Sequence, residues 1–451
     1  MTAKVRFIVA LLLVMMIASA NLHIFSEIRV SFSNFFVILQ SIPFLAMKTV
    51  MQILRRWSSI SLVLRILVGL VIGAILGLVA PDAPVIGILG QVFVSALKAI
   101  APVLVAVLVC ASIAKAGGGL GSRFRTVVVL YLLTTFCAAI VAVVGSFLFP
   151  MTITLTDAVA GEAPDALEDV FRNLRTNLVS TPMMSVSSAN YIGILFWAVI
   201  VGLALKRCAS ATTIQVFSDL AEVISLTVRW VIQFAPFGIM GLVFTSVAES
   251  GLEIFTDYGR LLLLLVGSML TVALVVNPLI SFLFIRRNPY PLLWQCLKES
   301  GLNAFFTRSS AANIPINMAL CKRLGIDEDF YSVSIPLGCT INMNGAAVTI
   351  TVLSLAVAHT VGVSVSLPTA IILSIIATLG ACGASGVAGG SLLLVPMACS
   401  LFGIGADVAM QAVGVGFIIG VVQDSVETAL NSSGDAFFTA TAEIHDKQCQ
   451  T

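Results

Sequence analysis

The sequence has very little charge. Only 10% of its 451 residues are Asp, Glu, Lys or Arg, whereas a soluble domain averages about 25%. This shortage excludes an ordinary soluble protein. Together with the 59% share of hydrophobic residues, it indicates an all-α polytopic membrane protein in contact with lipid. The sequence also lacks a basic patch interleaved with aromatic residues, so no nucleic acid partner is expected.

Residues that form disulfides and metal sites are scattered. The nine cysteines include no Cys-x-x-Cys pair, and most of them lie in apolar runs, which is typical of small packing residues. The three histidines, His23, His359 and His445, are too dispersed for a metal cluster. We therefore expect neither a structural metal centre nor an organic cofactor.

The first 46 residues do not match the pattern of long apolar stretches that follows. Two basic residues precede the apolar run at 7–18, which ends in a sequence that resembles a signal-peptidase site. A second start-like point follows at Met47 or Met51. We interpret residues 1–46 as an N-terminal extension or signal-like segment outside the functional fold. N-terminal sequencing of the expressed protein would test this.

Six predominantly apolar stretches follow. Lys and Arg accumulate at alternate connections, and the intervening connections are neutral or acidic, so the basic ends are predicted to be cytoplasmic. Residues 47–285 are therefore predicted to hold six transmembrane helices, at about 62–80, 91–114, 126–149, 191–205, 218–247 and 261–285.

After Arg287 the apolar stretches are interrupted by polar or glycine-rich runs. Residues 291–323 begin and end beside basic residues and contain the polar run 307–313, so they are predicted to enter the membrane and return. Residues 368–402 hold the glycine-rich stretch 380–386 between two arms that are too short to span alone. This second segment is predicted to be a re-entrant hairpin that enters from the outside.

Each hairpin precedes a spanning helix. The first helix, at 330–360, is predicted to break at 338–345, and the second covers 406–440, leaving 441–451 as a cytoplasmic tail. Two such hairpin-and-helix units in opposite orientation are typical of inverted-repeat transporters. We therefore interpret residues 286–440 as the core transport region.

The last apolar helix carries polar residues on one narrow face. Asp424, Glu427, Asn431 and Asp435 share this face, with Thr428 between them. An Asp at the centre of a membrane helix costs about 2.5–3.5 kcal/mol, so such residues normally face a binding site or a water-filled path. The alternative is that this end of the helix lies in water and the carboxylates are merely solvated.

The polar break in the preceding helix could bind a cation. Its backbone carbonyls, with the side chains of Thr340, Asn342 and Asn344, offer neutral oxygens. Asn431 and Asp435 could complete the shell. The alternative is a flexible hinge whose side chains form hydrogen bonds.

An amino acid substrate needs donors for its carboxylate and an acceptor for its ammonium group. Ser309, Ser310 and the hairpin-tip N–H groups suit the carboxylate. Asp424 suits the ammonium group.

Four ordered motifs resemble those of the dicarboxylate/amino acid:cation symporter family. They are TRSSAANIP at 307–315, IPLGCTINMNG at 335–345, GACGASG at 380–386 and D-x-x-E-T-x-x-N-x-x-x-D at 424–435. The family includes glutamate transporter homologues and a bacterial sodium/serine–threonine symporter, to which the resemblance is closest. The resemblance covers about residues 55–445. It implies eight transmembrane helices plus two re-entrant helical hairpins, a homotrimer, and an elevator motion of a transport domain against a scaffold that includes elements of 47–285.

The resemblance also implies roles for individual residues. The predicted substrate contacts are Ser309, Ser310, Asp424, Glu427, Thr428 and Asn431. Of these, the resemblance implies Ser310, Asp424, Thr428 and Asn431. The implied ligands of two sodium ions are Gly338, Thr340, Asn342, Asn431 and Asp435, with the backbone of Thr378, Leu379 and Ala381. A further sodium site would use Tyr131, Thr134, Thr135 and Asn344.

Three residues depart from the family pattern. Members that carry acidic substrates have an arginine where this chain has Glu427. A carboxylate there would repel an acidic side chain by about 4 kcal/mol at ~4 Å and an effective ε of about 20, roughly a thousandfold in affinity. Asn344 replaces the family's aspartate, which weakens or removes the further sodium site. Ala346 replaces a hydroxyl residue in the same region.

We expect sodium-coupled import of L-serine and L-threonine across the bacterial inner membrane, with the C-terminus in the cytoplasm. The resemblance implies the sodium coupling, and the departures favour a neutral substrate. A small hydroxyl-bearing side chain could donate a hydrogen bond to Glu427. The alternative substrates are other neutral amino acids or dicarboxylates.

Arg308 is a further cation of the core region. We expect it to pair with Asp424 or Glu427, since an unpaired buried charge is costly. The alternative is an arginine that snorkels to the cytoplasmic side.

Two other classes of function remain open at this stage. Gly383-Ala-Ser385-Gly386 matches the pattern around the nucleophile of an intramembrane serine protease, with His359 or His445 as its base. Neither histidine has a supporting motif, so we expect no enzyme activity. A passive channel is the other alternative, and concentrative accumulation would distinguish a symporter from it.

Overall fold

The structure is a computed structural model that describes residues 60–115, 121–155, 180–384 and 389–450. All regular secondary structure in these ranges is helical, which confirms the all-α prediction. Six of the described helical segments are long and apolar enough to cross a membrane, or seven if one bent pair counts as a single span. The chain is therefore a multi-pass membrane protein. The predictions for residues 1–46 and for Ser385 lie outside the described residues.

The described part of the chain contains seventeen α-helices, some of them joined directly by short 3₁₀ or π turns. In chain order they are α1 (Leu62–Val79), α2 (Pro84–Lys115), α3 (Gly121–Leu148), α4 (Pro182–Ser187), α5 (Tyr191–Cys208), α6 (Ala211–Gln233), α7 (Ala235–Ser250), α8 (Ile254–Thr271), α9 (Asn277–Ile285), α10 (Tyr290–Cys296), α11 (Leu302–Thr307), α12 (Ser310–Arg323), α13 (Glu328–Ile341), α14 (Asn344–Thr360), α15 (Leu367–Ala381), α16 (Val395–Ser400) and α17 (Ala406–Gln450).

Among the described residues, the first compact unit combines 60–96 with Leu226–Gly251. Its described core is the close pairing of α1 with α7. A Cβ atom on Gly69 or Gly73 would overlap the backbone oxygens of Pro236 and Met240. Small residues at this spacing allow two membrane helices to approach closely.

Two of the predicted spans are bent or distorted. α6 and α7 occupy the span predicted at 218–247, but they meet at an angle of 53°. The break lies at Phe234, because Pro236 in the first turn of α7 has no N–H to continue the ladder. In the span predicted at 261–285, a π turn (Val272–Val276) joins α8 to α9 just before Pro278.

The second compact unit combines Leu97–Ser225 with Leu252–Thr451. At its centre, α14 is buried along nearly its whole length and packs on α3 and α17. A helix that is buried on all sides in this way belongs to the protein interior. This unit holds every predicted substrate and sodium residue.

Two helix pairs in this unit fold back on themselves. In the first, α10 and α11 reverse at Arg308, whose φ of 49° is left-handed, and α12 returns against them. In the second, α15 and α16 contact each other. These pairs occupy the regions predicted as hairpins at 291–323 and 368–402.

The helix predicted at 330–360 leaves helical geometry at Asn342 and Met343, inside the predicted break. α14 then begins at Asn344. An N–H in the first turn of a helix has no partner within that helix, and the Gly345 N–H donates instead to Asn431 Oδ1 at 2.7 Å. The break in one helix is thus satisfied by the polar face of another.

The last helix corrects one prediction. α17 runs to Gln450, whereas the sequence suggested an end at Ala440 and a separate tail at 441–451. The extension is tied down by polar contacts: Glu443 pairs with Arg123, and Gln448 Nε2 donates to the Ile285 carbonyl at 3.1 Å.

Candidate functional site

A small pocket lies beside the middle of α17. Five of the six predicted substrate residues line it. They are Ser310, Asp424, Glu427, Thr428 and Asn431. The sixth, Ser309, caps α12, with its Oγ accepting a bond of 3.2 Å from the Ala312 N–H. The polar face of α17 is buried, so its carboxylates are not merely solvated.

Asp424 is paired inside this pocket. Its Oδ2 lies 3.6 Å from Nη1 of Arg308, and both side chains are about nine-tenths buried. Its Oδ1 accepts a longer bond of 3.4 Å from the Gly389 N–H of the second helix pair. Arg308 therefore pairs with Asp424 and not with Glu427, and its burial excludes the snorkelling alternative.

Glu427 has three hydrogen-bond donors on one oxygen. Its Oε2 accepts bonds from the Thr349 hydroxyl at 2.7 Å, the Ser391 hydroxyl at 2.9 Å and Nε2 of Gln423 at 2.5 Å. None of these three donors was assigned from the sequence. Gln423 lies one helical turn before Glu427, which was an available signal, but Thr349 and Ser391 come from other elements and reach Glu427 only in the folded chain.

Asn431 links the pocket to the break in α13 and α14. Its Oδ1 accepts the Gly345 N–H, and its Nδ2 donates to Sδ of Met343 at 3.5 Å. Met343 itself lines the pocket. Thr428 Oγ1 donates to the Asp424 carbonyl at 2.7 Å, so its lone pairs remain available as acceptors.

The first predicted sodium set is brought together. Nδ2 of Asn342 donates to Asp435 Oδ1 at 2.9 Å and to the Asn431 carbonyl at 3.1 Å. A Cβ on Gly338 would lie 2.8 Å from Asp435 Oδ1. Asn342 Oδ1 is buried and has no hydrogen-bond partner within the described chain. These oxygen atoms are the kind of ligand that a dehydrated sodium ion requires.

The second predicted sodium set lies at the end of α15. Cys382 Sγ is 3.6 Å from the Ile341 carbonyl, which places this end of α15 beside the end of α13 and hence near Thr340. The carbonyls of Thr378 and Ala381 accept turn hydrogen bonds, so each retains one lone pair. Within the described residues no hydrogen bond joins Thr340 to Leu379, and the Thr340 hydroxyl donates to the Leu337 carbonyl.

Side-chain hydrogen bonds join three residues of the third predicted sodium set. Asn344 Oδ1 accepts bonds from Thr135 at 2.9 Å and Thr134 at 3.3 Å. Its Nδ2 donates to Asn277 Oδ1 at 3.3 Å. Asn277 directly follows the π turn and was missed from the sequence, although an Asn-Pro pair in an apolar run was a signal. The Tyr131 hydroxyl is turned away toward Thr439 at 2.9 Å.

The family model described as "Sodium:dicarboxylate symporter family" matches residues 62–443. The chain belongs to the sodium:dicarboxylate symporter family. This membership confirms the resemblance read from the four motifs.

Three relatives share more than half of their aligned residues with this family member. A protein of Bifidobacterium adolescentis named "Serine/threonine transporter SstT" is 58% identical over 399 residues, covering 88% of this chain and 93% of that protein. Proteins with the same name from Streptococcus thermophilus and Streptococcus agalactiae are 55% and 54% identical over 394 residues. Each alignment covers 87% of this chain and 98% of the relative.

Membership of a symporter family excludes the two alternative functions, an intramembrane serine protease and a passive channel. The chain is a transporter and not an enzyme, and a symporter is not a passive channel. The candidate bases of the protease alternative have other surroundings: His445 stacks edge-on against Phe284 at 5.3 Å, and His359 lines a different cavity.

Proposed function

We propose that this family member is a sodium-coupled symporter that imports L-serine and L-threonine. The names of its relatives support this substrate class. The single observation that carries it is the position of Glu427, a buried carboxylate in the wall of the pocket that also holds Asp424.

The pocket offers a complementary group for each part of a hydroxy amino acid. Asp424 binds the substrate ammonium group. Arg308, which pairs with Asp424, balances the remaining negative charge of the two pocket carboxylates. Asn431 Nδ2 has only a weak sulfur acceptor, so it is available to the substrate carboxylate together with the Ser310 hydroxyl. Glu427 accepts a hydrogen bond from the substrate hydroxyl.

The same carboxylate excludes acidic substrates. A second carboxylate about 4 Å from Glu427 would cost on the order of 4 kcal/mol at an effective ε of about 20. Dicarboxylates and acidic amino acids are therefore poor substrates in this proposal. Other small neutral amino acids are rejected less strongly.

Coupling to sodium uses the first two predicted cation sets. Asn342 lies in the break, Gly338 lies in the last turn of α13 and Asp435 lies on α17, beside Asn431 of the pocket. Binding of sodium there would draw Asn342 Oδ1 and Asp435 toward the ion and fix the break next to the substrate. The third set binds no sodium, because Asn344 is neutral and its amide is already bonded to Asn277 and Thr135.

The wider architecture is proposed from the family. Eight transmembrane helices, two re-entrant hairpins at the two folded-back helix pairs, and a homotrimer would support an elevator motion. The location is the bacterial inner membrane, surrounded by lipid, with the C-terminus in the cytoplasm. The basic ends of α2 and α5, Lys115 and Lys206–Arg207, support this orientation.

Uptake of radiolabelled serine into proteoliposomes tests the function. Serine should accumulate only under an inward sodium gradient, and unlabelled threonine should compete while aspartate should not. Uptake that persists without sodium, or that aspartate inhibits as well as threonine does, would reject the proposal.

A further inference from the structure

The two oxygens of Glu427 have different surroundings. All three hydrogen bonds to this carboxylate end on Oε2. Among the described residues none donates to Oε1, although Glu427 lines the substrate pocket. Within the described residues, Oε2 thus carries every hydrogen bond to this carboxylate and Oε1 carries none.

The donors approach from three separate elements. Thr349 lies on α14, Gln423 lies one turn earlier on α17, and Ser391 lies just before α16 in the second helix pair. Gln423 Nε2 also donates to the Thr349 hydroxyl at 2.7 Å, so that hydroxyl must turn its own proton toward Glu427. All three side chains are buried. The set is therefore a closed network around Oε2.

We propose that Thr349, Ser391 and Gln423 are positioning residues that determine substrate specificity. By holding Oε2, they present Oε1 as the single acceptor for a substrate hydroxyl, and the pocket thereby selects serine over alanine. This inference rests on the proposed function and adds three residues that neither the sequence motifs nor the substrate contacts contain.

The physical reason lies in the freedom of a carboxylate. The terminal torsion of Glu is broad, so an unrestrained carboxylate can turn either oxygen, or neither, toward a ligand. Three donors on one oxygen restrict this rotation. A buried acceptor that the ligand leaves unpaired is penalised, which is how a polar site rejects an analogue that lacks one hydroxyl.

Ser391 also connects this network to the second helix pair. Its hydroxyl connects the second helix pair to α17 through Glu427, close to the Gly389 N–H that meets Asp424. The Gly389 N–H and the Ser391 hydroxyl thus each donate to one of the two pocket carboxylates. One hydroxyl thus joins the second helix pair to the polar face of α17.

The measurement is the ratio of inhibition constants for alanine and serine, from competition against radiolabelled serine in proteoliposomes. The intact protein should prefer serine by about tenfold or more, the value of a hydrogen bond to a charged group. Thr349→Val, Ser391→Ala and Gln423→Leu should each reduce this preference by about threefold or more. Thr349→Ser keeps the donor and should retain the preference.

Ser354→Ala is the matched control. It removes another buried hydroxyl of α14, one that contacts the Val395 carbonyl and not Glu427, so the ratio should not change. If a variant no longer transports, the same ratio is taken from the thermal stabilisation that serine and alanine give in detergent. An unchanged ratio in Thr349→Val and Ser391→Ala would overturn the inference while sodium-driven serine uptake still stands. Absence of serine uptake by the intact protein would instead reject the proposed function.

Discussion

Nη1 of Arg308 lies 3.6 Å from Oδ2 of Asp424, and the two side chains are nearly inaccessible to water. The pair is possible because Arg308 occupies the left-handed turn of the first helix pair, with a φ of 49°. The side chain extends from this turn to α17. The cation therefore compensates a carboxylate that would otherwise be alone when no substrate ammonium group is bound.

Replacing Arg308 with Met should destabilise the substrate-free protein more than the substrate-bound protein. Breaking a buried ion pair from one side costs about 3–5 kcal/mol, and a substrate ammonium group would restore the compensation. We expect a lower melting temperature in detergent and a larger increase on adding serine. The double variant Arg308→Met with Asp424→Asn is the control and should recover part of the lost stability. Equal serine-induced increases in the variant and the parent would contradict this role.

Replacing Glu427 with Gln should relax the rejection of acidic substrates. The amide keeps the shape of the side chain but removes the charge that repels them, an effect of up to about 4 kcal/mol. Inhibition of serine uptake by aspartate should therefore strengthen by at least tenfold, while serine itself binds more weakly. Thr428→Ser, which keeps a hydroxyl beside Glu427, should leave aspartate a poor inhibitor. No gain in aspartate inhibition would show that Glu427 does not set this preference.

Replacing Gly338 with Ala should weaken sodium binding. The added Cβ would lie 2.8 Å from both Asp435 Oδ1 and the Tyr131 hydroxyl, so the carboxylate must move away from Asn342. The sodium concentration for half-maximal serine uptake should rise several-fold. Gly259→Ala is the matched control, because a Cβ there meets nothing within 4 Å, and it should behave like the parent. A shared response of the two variants would rule out this local explanation.

Replacing Asn344 with Asp should make transport depend more steeply on sodium. The new carboxylate would face Thr134 and Thr135 and would lose the donor that bonds Asn277, so a cation becomes the natural partner of the charge. The sodium-to-serine flux ratio in proteoliposomes should increase. Asn344→Ala lacks both the charge and the amide and should not increase it. A ratio unchanged by the aspartate would mean that the third set cannot hold sodium in either form.

Replacing Arg123 with Met should destabilise the end of α17. Arg123 Nη1 lies 3.0 Å from the buried Glu443 and 3.1 Å from Asp327, and losing a partly buried ion pair costs about 1–3 kcal/mol. The Arg123 guanidinium also holds the pKa of Asp327 below its usual range. The stabilisation from Asp327 is therefore present above about pH 4 and is lost as the pH falls through the lowered value.

Melting curves in detergent across this pH range check the prediction. Asp327→Asn should lower the melting temperature at neutral pH, and its difference from the parent should shrink toward acidic pH. Arg260→Met is the control, since its contact with Asp257 is long and exposed.

Much of the site was predictable from the sequence because helical periodicity is a local property. The spacing of Asp424, Glu427 and Asn431 along α17 is enough to place them on one face, and the structure brings that face to the pocket wall. The residues that hold Glu427 were not predictable in this way. Thr349 is one of several hydroxyl residues on a helix buried on all sides, so no periodicity distinguishes the face that meets α17.

The fold, too, was partly predictable from the sequence and partly not. Long apolar stretches identified the membrane helices, but the 53° bend at Phe234 and the π turn before Asn277 depend on local backbone adjustments near proline. The extension of α17 to Gln450 depends on Glu443 meeting Arg123, which is 320 residues away in sequence. Contacts of that range have no signature in a single sequence.

The hydrogen bond between Asn344 and Asn277 bears on how steep a gradient the transporter can build. In the proposed function, this amide pair replaces a sodium ion with a fixed neutral dipole, so each transport cycle moves one positive charge fewer. At 100 mV that charge is worth about 2.3 kcal/mol, which corresponds to a roughly fortyfold lower ceiling on the ratio of internal to external substrate. On that proposal, one amide in α14 sets an upper limit on accumulation and also lowers the number of sodium ions imported with each substrate molecule.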